Sequence, residues 1–597
     1  IHVGSIEDTT FVVNYANIKD DVYLTASSGT VTTNPTSFGE QCGEFGTKTI
    51  TVQWIPSEVN ANAHETVTLT DGVSGTTCVV NLIANVTPGT QNLYWQDLPT
   101  VISNCGDIEF PEQTTAHIDI IWEVVSGDDI ADFNNEGELV LYKQGEITIR
   151  GYNDGNANYH PFAITYTFTI NYDPVFLGTE DPDWNNVDNW NICRLPNEND
   201  IVTIKAPVEL VTHEKVKGMK FAENGKMHIA HNAGMTIGSH GLELTTNGLI
   251  TIDNTPDGAG FLKVDPSAAN KPSANVTINY TTAAYNSGNH RDEIWQYMGA
   301  PGTDMQMSDA SYTMIYHWNE QEGWLKLSNT ELTPFYGYAF TQSKAQEATF
   351  EISAKPIIPT VPQEISLTCT PAGMGGSNVF VNSFLAPIDL NKFENEDFVG
   401  NVDKAFYLFN SGSWNQWQQN GGSSNTMQYG VSPGQYYALS PYGSSLMDSA
   451  YDQTTIPPMQ GVYVIARENG AKIKLDYAKH VYAADASNAA MRIPKHQDDF
   501  KRIRLYVYGA NSGADRMYLI QHDQCTSGYD NGYDAINMPT EGQVSIYSNE
   551  AAGQMEISIA DRIDSSYIGF RAGMDSEYVL RMTSVLGEQL YLYDLQE

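Results

Sequence analysis

Basic residues are scarce in this chain. Lys and Arg together number 31 among 597 residues, against 72 Asp and Glu, for a formal net charge of −41 at pH 7. That balance excludes a general nucleic-acid footprint, because phosphate contact needs clustered Lys and Arg. Cysteine is scarce too. Six residues without a Cys-x-x-Cys exclude a dense disulfide scaffold. No apolar run approaches the ~20 residues that cross a bilayer as a helix, and windows of helical period are almost absent. A Gly-x-Ser-x-Gly elbow and a Walker loop are both missing, and His64-Glu65 lacks the second histidine of a zinc protease motif. A glycosidase carboxylate pair leaves no local mark, so sequence spacing does not address it.

What the chain has in quantity is strand and turn material. The 34 Tyr and 49 Gly accompany Thr, Val, Ile and Asn, with Asn-Gly and Asp-Gly steps. Aromatic and β-branched residues punctuated in this way indicate strands joined by tight turns. The expected fold class is all-β, an elongated tandem array of about four to six domains at the usual domain size. The acidic surplus suits a soluble extracellular chain and leaves carboxylates free for calcium. No signal peptide is visible, and the chain reads as a mature or excised piece of a longer precursor.

Residues 1–90 alternate apolar and polar in short strands, as in Phe11-Val-Val-Asn-Tyr15, and are expected to form an immunoglobulin-like sandwich. Cys42 and Cys78 flank the strand Thr49–Trp54 and are the expected disulfide. Cys105, Cys193, Cys369 and Cys525 are expected to be free and buried, a Cys105–Cys193 bridge across a domain junction being the weaker alternative. Residues 91–173 form a second sandwich. Over 174–285, short strands recur every seven or eight residues with Gly225, Gly234, Gly241 and Gly248 between them. A short β-solenoid and a tight meander both fit that spacing.

Residues 286–356 and 357–478 repeat one strand grammar. Ala300-Pro301, Tyr316-His-Trp318 with Trp324, and Pro334-Phe-Tyr-Gly337 recur as Ala386-Pro387, Tyr407-Leu-Phe409 with Trp414, and Pro458-Met-Gln-Gly461. Aromatics that recur with the fold are expected in the core of a duplicated aromatic β-module. The unrepeated set Trp417, Tyr436, Tyr437 and Tyr442 lies beside a polar insertion and is the candidate ligand-binding surface, since flat rings stack on sugar C–H faces. Residues 479–597 read as a final β-sandwich.

Two Asp-rich segments are candidate calcium loops. Asp181, Asp183 and Asp188 place oxygen ligands at near-alternate positions but lack the Gly and Glu of an EF-hand. Asp523, Asp530 and Asp534 surround Gly-containing turns. For both segments, Asx turn chemistry is the competing reading. His213, His228, His231 and His240 are not expected to chelate, since strand residues three apart face opposite sides. No cofactor is required, and calcium is the one candidate.

Trp122 through Gly137-Glu-Leu-Val-Leu-Tyr142, Gly145-Glu-Ile-Thr-Ile-Arg150 and Gly155-Asn-Ala-Asn-Tyr159 resemble the bacterial immunoglobulin-like (Big) domains. Four further places resemble modular surface proteins of Bacteroidota that leave by the type IX secretion system. They are Asp183-Trp through Trp190 with Leu195-Pro196, the two Pro-Asp/Trp/Pro-x-x-Gly copies (Pro301 to Asp304 and Pro387 to Asp389 at their start), Gly528-Tyr-Asp-Asn-Gly-Tyr-Asp534, and Ile568-Gly-Phe-Arg-Ala572 with Tyr591-Leu-Tyr-Asp594. The resemblance implies an outer cell-surface location in a Gram-negative bacterium and a sorting domain beyond residue 597. It also implies O-glycosylation at Thr9 and Ser449, each of which follows an Asp.

The leading expectation is a non-catalytic, adhesin-like stalk and binding module. Its partner would be an extracellular glycan or protein, or the chain itself, with no nucleic acid and no transmembrane segment in this chain. A structural subunit of a surface layer or filament is one alternative. An accessory region of a larger secreted enzyme is the other.

Overall fold

The computed structural model describes the chain except residues 40, 96–98, 223, 287–293, 309, 329–330, 415–430, 444–445, 448–453, 483–500, 586–589 and 596–597; the side chains of 41–44 and 585 are likewise outside the description. The chain is all-β, and its described helices are single short turns such as Tyr477–His480. It divides into two compact units. The first comprises Ile1–Asp173 with Asn191–Arg194, and the second Pro174–Trp190 with Leu195–Glu597.

In the first unit, Glu7–Ile18, Gln41–Trp54 and Val31–Asn34 form one sheet, and Ser37–Phe38, Val22–Ala26, Asn60–Asp71 and Thr77–Val86 form another. Period-two alternation sends Ile50, Val52, Val67 and Leu69 into the core between them. A second set of strands follows, with Gly145–Asn153 between Phe162–Ile170 and Ile121–Ser126. Its Ile147, Ile149, Gly151 and Asn153 point inward in strict alternation.

The cysteine expectation needs correction here. Cys78 is free and exposed on Thr77–Val86, a strand of a different sheet from the one holding Cys42. The bridge is Cys105–Cys193, with Cα atoms 5.9 Å apart and 88 residues between them in sequence. The segment around Cys193 belongs to the first unit because its backbone is bonded there. Cys105 N–H donates to the Asn191 carbonyl (2.8 Å), Leu141 N–H to Ile192 (3.2 Å), and the Arg194 Nε–H to the Leu141 carbonyl (3.1 Å).

The second unit opens with a parallel β-solenoid, which decides between the two sequence expectations. Successive strands alternate between two sheets. Ile201–Ile204, His213–Phe221, Gly234–Glu243 and Phe261–Val264 lie in one, and Pro207–Leu210, Lys226–Ile229, Ile250–Thr255 and Val276–Thr282 in the other. Every pairing within these two sets is parallel, whereas a meander would be antiparallel. Val202, Leu210, Met227, Ile229, Met235, Ile237 and Ile250 fill the interior.

Both ends of the solenoid are covered. At the start, Trp184 and Trp190 lie buried edge-to-face at 4.8 Å, and Trp190 meets Phe176 at 5.2 Å. At the far end, Val276–Thr282 pairs antiparallel with Ala348–Lys355, the closing strand of the first aromatic copy. Such covers protect strand edges that would otherwise offer unpaired amides.

The two aromatic copies repeat in structure as well. The first sheet runs Gln296–Met298, Tyr338–Gln342, Thr313–Asn319, Gly323–Lys326; the second runs Ser377–Val381, Gly461–Ala466, Val402–Asn410, Gln435–Leu439. In chain order both are first, fourth, second, third. The last region is one mixed sheet among the described residues, in which Ala514–Gln521 pairs parallel with Gly553–Ala560. It differs from the expected self-contained sandwich. Its Tyr518, Ile520, Ile557 and Ile559 share a core with Ala405, Tyr407 and Ala438 of the second copy, while Leu505, Met517 and Ile546 line its other face.

Candidate functional site

Of the predicted ligand surface, Tyr437 is buried and Tyr436 and Tyr442 are partly buried. Cross-strand register places Trp318 opposite Trp324 in the first copy, and Phe409 opposite Tyr436 in the second. The counterpart of Trp324 is therefore Tyr436, not Trp414. Tyr297 lies between the two sets, stacked on Trp324 (5.3 Å, 17°) and on Tyr436 (6.2 Å, 27°), and edge-on to Tyr463 (5.4 Å). The Tyr297 and Tyr436 hydroxyls are hydrogen-bonded at 2.6 Å. Burial holds both hydroxyls well above the ordinary phenol range.

Tyr437 points to the opposite face of the same strand and is buried in the core with Phe384, Phe406 and Leu408. Both faces of this sheet are covered, so alternation leaves no outward side for adjacent tyrosines. Tyr442 is half-buried against Tyr533, its hydroxyl donating to Asn395 Oδ1 (3.0 Å). Burial pushes that hydroxyl up to about 12. Trp417 lies outside the described residues, as does Ser449. Thr9 is exposed on Glu7–Ile18, opposite Val52.

The Asp-rich segments are occupied by turn chemistry. Asp181 accepts from Asp183 N–H (2.9 Å), Asn186 Nδ2 (3.1 Å) and Asn189 Nδ2 (2.8 Å), and those bonds hold its carboxyl below the usual range. Asp183 accepts from Asn185 N–H at 2.9 Å, and Asp188 donates its own amide to Asn186. In the last region Asp523 is exposed, and Asp530 accepts from Thr526. Asp534 is buried, accepting from the Asp530 and Ile559 amides at 2.7 Å each. Among the described residues no three His, Cys, Asp or Glu side chains converge as a metal site needs.

His228 stands apart from the other histidines. On the solenoid face its Nδ1 meets Glu209 at 2.8 Å and its Nε2 meets Asp253 at 3.0 Å. Burial opposes the imidazolium, but the two carboxylates outweigh it and raise the ring's pKa. No local motif signals this arrangement, because the parallel ladder that aligns Glu209 with His228 joins residues 19 apart.

A cavity of about 90 Å³ opens where the solenoid meets the two aromatic copies. Asn254, Tyr280, Gln296, Phe409, Tyr437 and Pro458 are among its lining residues. Tyr437, a predicted binding residue, borders this open space.

The family model described as Domain of unknown function (DUF8693) matches residues 175–595. The chain belongs to this family. The match takes in the solenoid, both aromatic copies and the last sheet, so the DUF8693 region corresponds closely to the second compact unit. The chain is also 25% identical over 450 residues to the Minor fimbrium subunit Mfa5 of Porphyromonas gingivalis, an alignment covering 68% of this chain and 35% of that protein. It thus spans about a third of its curated relative's length. Among solved structures, an endo-fucoidan hydrolase of glycoside hydrolase family 107 aligns over 64% of this chain and 40% of its own at 12% identity. Its TM-score is 0.12. No described helix is long and apolar enough to cross a membrane.

Proposed function

We propose that this DUF8693 chain is a region of a non-catalytic cell-surface subunit of fimbrial type in a Bacteroidota cell. The observation that carries this reading is the 450-residue likeness to a minor fimbrium subunit. The fold is in keeping with it. Sheets, a solenoid and duplicated modules supply bulk and stiffness, and the polar clusters of the second unit serve turns and strand edges. Within this reading the chain acts as an adhesin-like stalk toward an extracellular glycan or protein, and the immunoglobulin-like character of the first 173 residues belongs to the same proposal. So do export by the type IX route and sugar attachment at Thr9 and Ser449, which a mass shift on those peptides of native protein would reveal.

Immunogold labelling of intact native cells, with fractionation of sheared appendages, tests the fimbrial reading. Label on filaments and co-purification with them are expected. Protein confined to the cell interior, or shed without filaments, would sink it. No cofactor enters the proposal. Because the Asp carboxylates are engaged with amides, excess calcium is expected to leave the melting temperature unchanged, and a clear upward shift would restore the metal reading.

A further inference from the structure

The cavity at the junction of solenoid and aromatic copies is lined without charge. In a chain of 72 acidic residues, none of its described lining residues is Asp, Glu, Lys, Arg or His. Its polar groups are amides and hydroxyls, and several are left over after the protein's own bonds are made. Asn254 and Tyr280 are neighbours in the parallel ladder and share its inward face. The Asn254 Nδ2 donates to the Pro458 carbonyl (3.0 Å), which leaves Oδ1 as an acceptor. Gln296 Oε1 accepts from Thr282 Oγ1 (2.5 Å), which leaves its Nε2 hydrogens as donors. The buried Tyr280 hydroxyl has no hydrogen-bond partner, and burial alone pushes its pKa far up, so it stays a neutral donor and acceptor. A buried hydroxyl without a partner is costly, which makes it a place where a ligand or water group gains. Phe409 and Tyr437 add ring surface from the second copy.

We infer that this cavity is a binding site for a neutral polyhydroxylated ligand, the edge of a pyranose sugar. An acceptor, a donor pair and a hydroxyl beside aromatic surface match the alternating O–H and C–H groups of a sugar edge, and the lack of charge disfavours acidic sugars. The volume corresponds to about three waters, room for a hydroxymethyl group and an adjacent hydroxyl with the rest of the ring at the mouth. The inference rests on the binding half of the proposed function and is independent of the fimbrial half, since it is read on purified chain.

Saturation-transfer NMR would use D-glucose, D-galactose, D-mannose and N-acetylglucosamine as probes, with N-acetylneuraminic acid as the charged control. Transfer to at least one neutral sugar and none to the control is expected. Tyr280→Phe removes only the unpartnered hydroxyl; it should weaken binding about tenfold, the effect of one hydrogen bond of ~1.4 kcal/mol, without lowering the melting temperature. Gln296→Ala should weaken binding similarly. No transfer to any of the four sugars, or binding that survives both substitutions, would mean a water-filled structural cavity and overturn the inference.

Discussion

His228 is an ion-pair hub whose value depends on pH. Its pKa is raised in the folded protein, so its stabilisation is fully present below the unfolded value of ~6.5 and fades as pH rises through the folded value. Thermal melts of the wild type and His228→Gln should therefore differ most below about pH 6.5 and draw together as pH rises above it. A constant difference across that range would show that the ring acts by packing alone. Asp534 runs the other way in origin. Burial outweighs its two amide bonds and pushes its carboxyl up to about 7. The folded state then keeps a proton that the unfolded chain releases near ~pH 4, so stability declines as pH rises from about 4 to about 7. Asp534→Asn should flatten that decline, read from denaturant midpoints across pH. Neither role is written in local sequence. Asp534 reads as one more turn residue until Gly553–Ala560 is laid over it, and His228 reads as an exposed polar position until the ladder supplies its carboxylates.

Among the elements, the loop 181–190 serves as a cover for the solenoid. Asn189 is fully buried and stitches the loop together, accepting from Glu180 N–H (3.1 Å) and donating to Asp181 Oδ1 (2.8 Å) and the Asp183 carbonyl (3.0 Å). Trp190→Ala should cost about 3–5 kcal/mol, as large aromatic truncations in cores do, and should expose the first coil to hydrogen exchange before the later ones. Uniform exchange along the solenoid would deny the loop that role. The strand material here was legible: Val276–Thr282 alternates, and glycines mark the bends. The choice of solenoid over meander was not, since strand spacing is silent on which strand pairs with which. The duplicated copies were legible at Ala-Pro and Pro-x-x-Gly, but the equivalence of Trp414 with Trp324 does not hold in the strand register. The inserted residues between Asn410 and Gln435 displace the true partner strand, and Tyr436 takes the place.

At the scale of the whole molecule, two compact units should unfold in separable transitions. Closing a loop of 88 residues stabilises a unit by about 4.6 kcal/mol in the chain-entropy picture. Cys105→Ser should lower one calorimetric transition and leave the other in place; equal shifts of both would contradict the division. The sequence offers this disulfide only as the weaker alternative, because its partners lie on either side of the solenoid's cover loop.

The same bond redraws the route by which a pulling force would travel. Tension applied at Ile1 and Glu597 passes from Cys105 to Cys193 through sulfur, so the intervening strands and the cover loop carry no load along their backbone. That slack amounts to about 300 Å of extended chain, a reserve length that reduction alone would pay out.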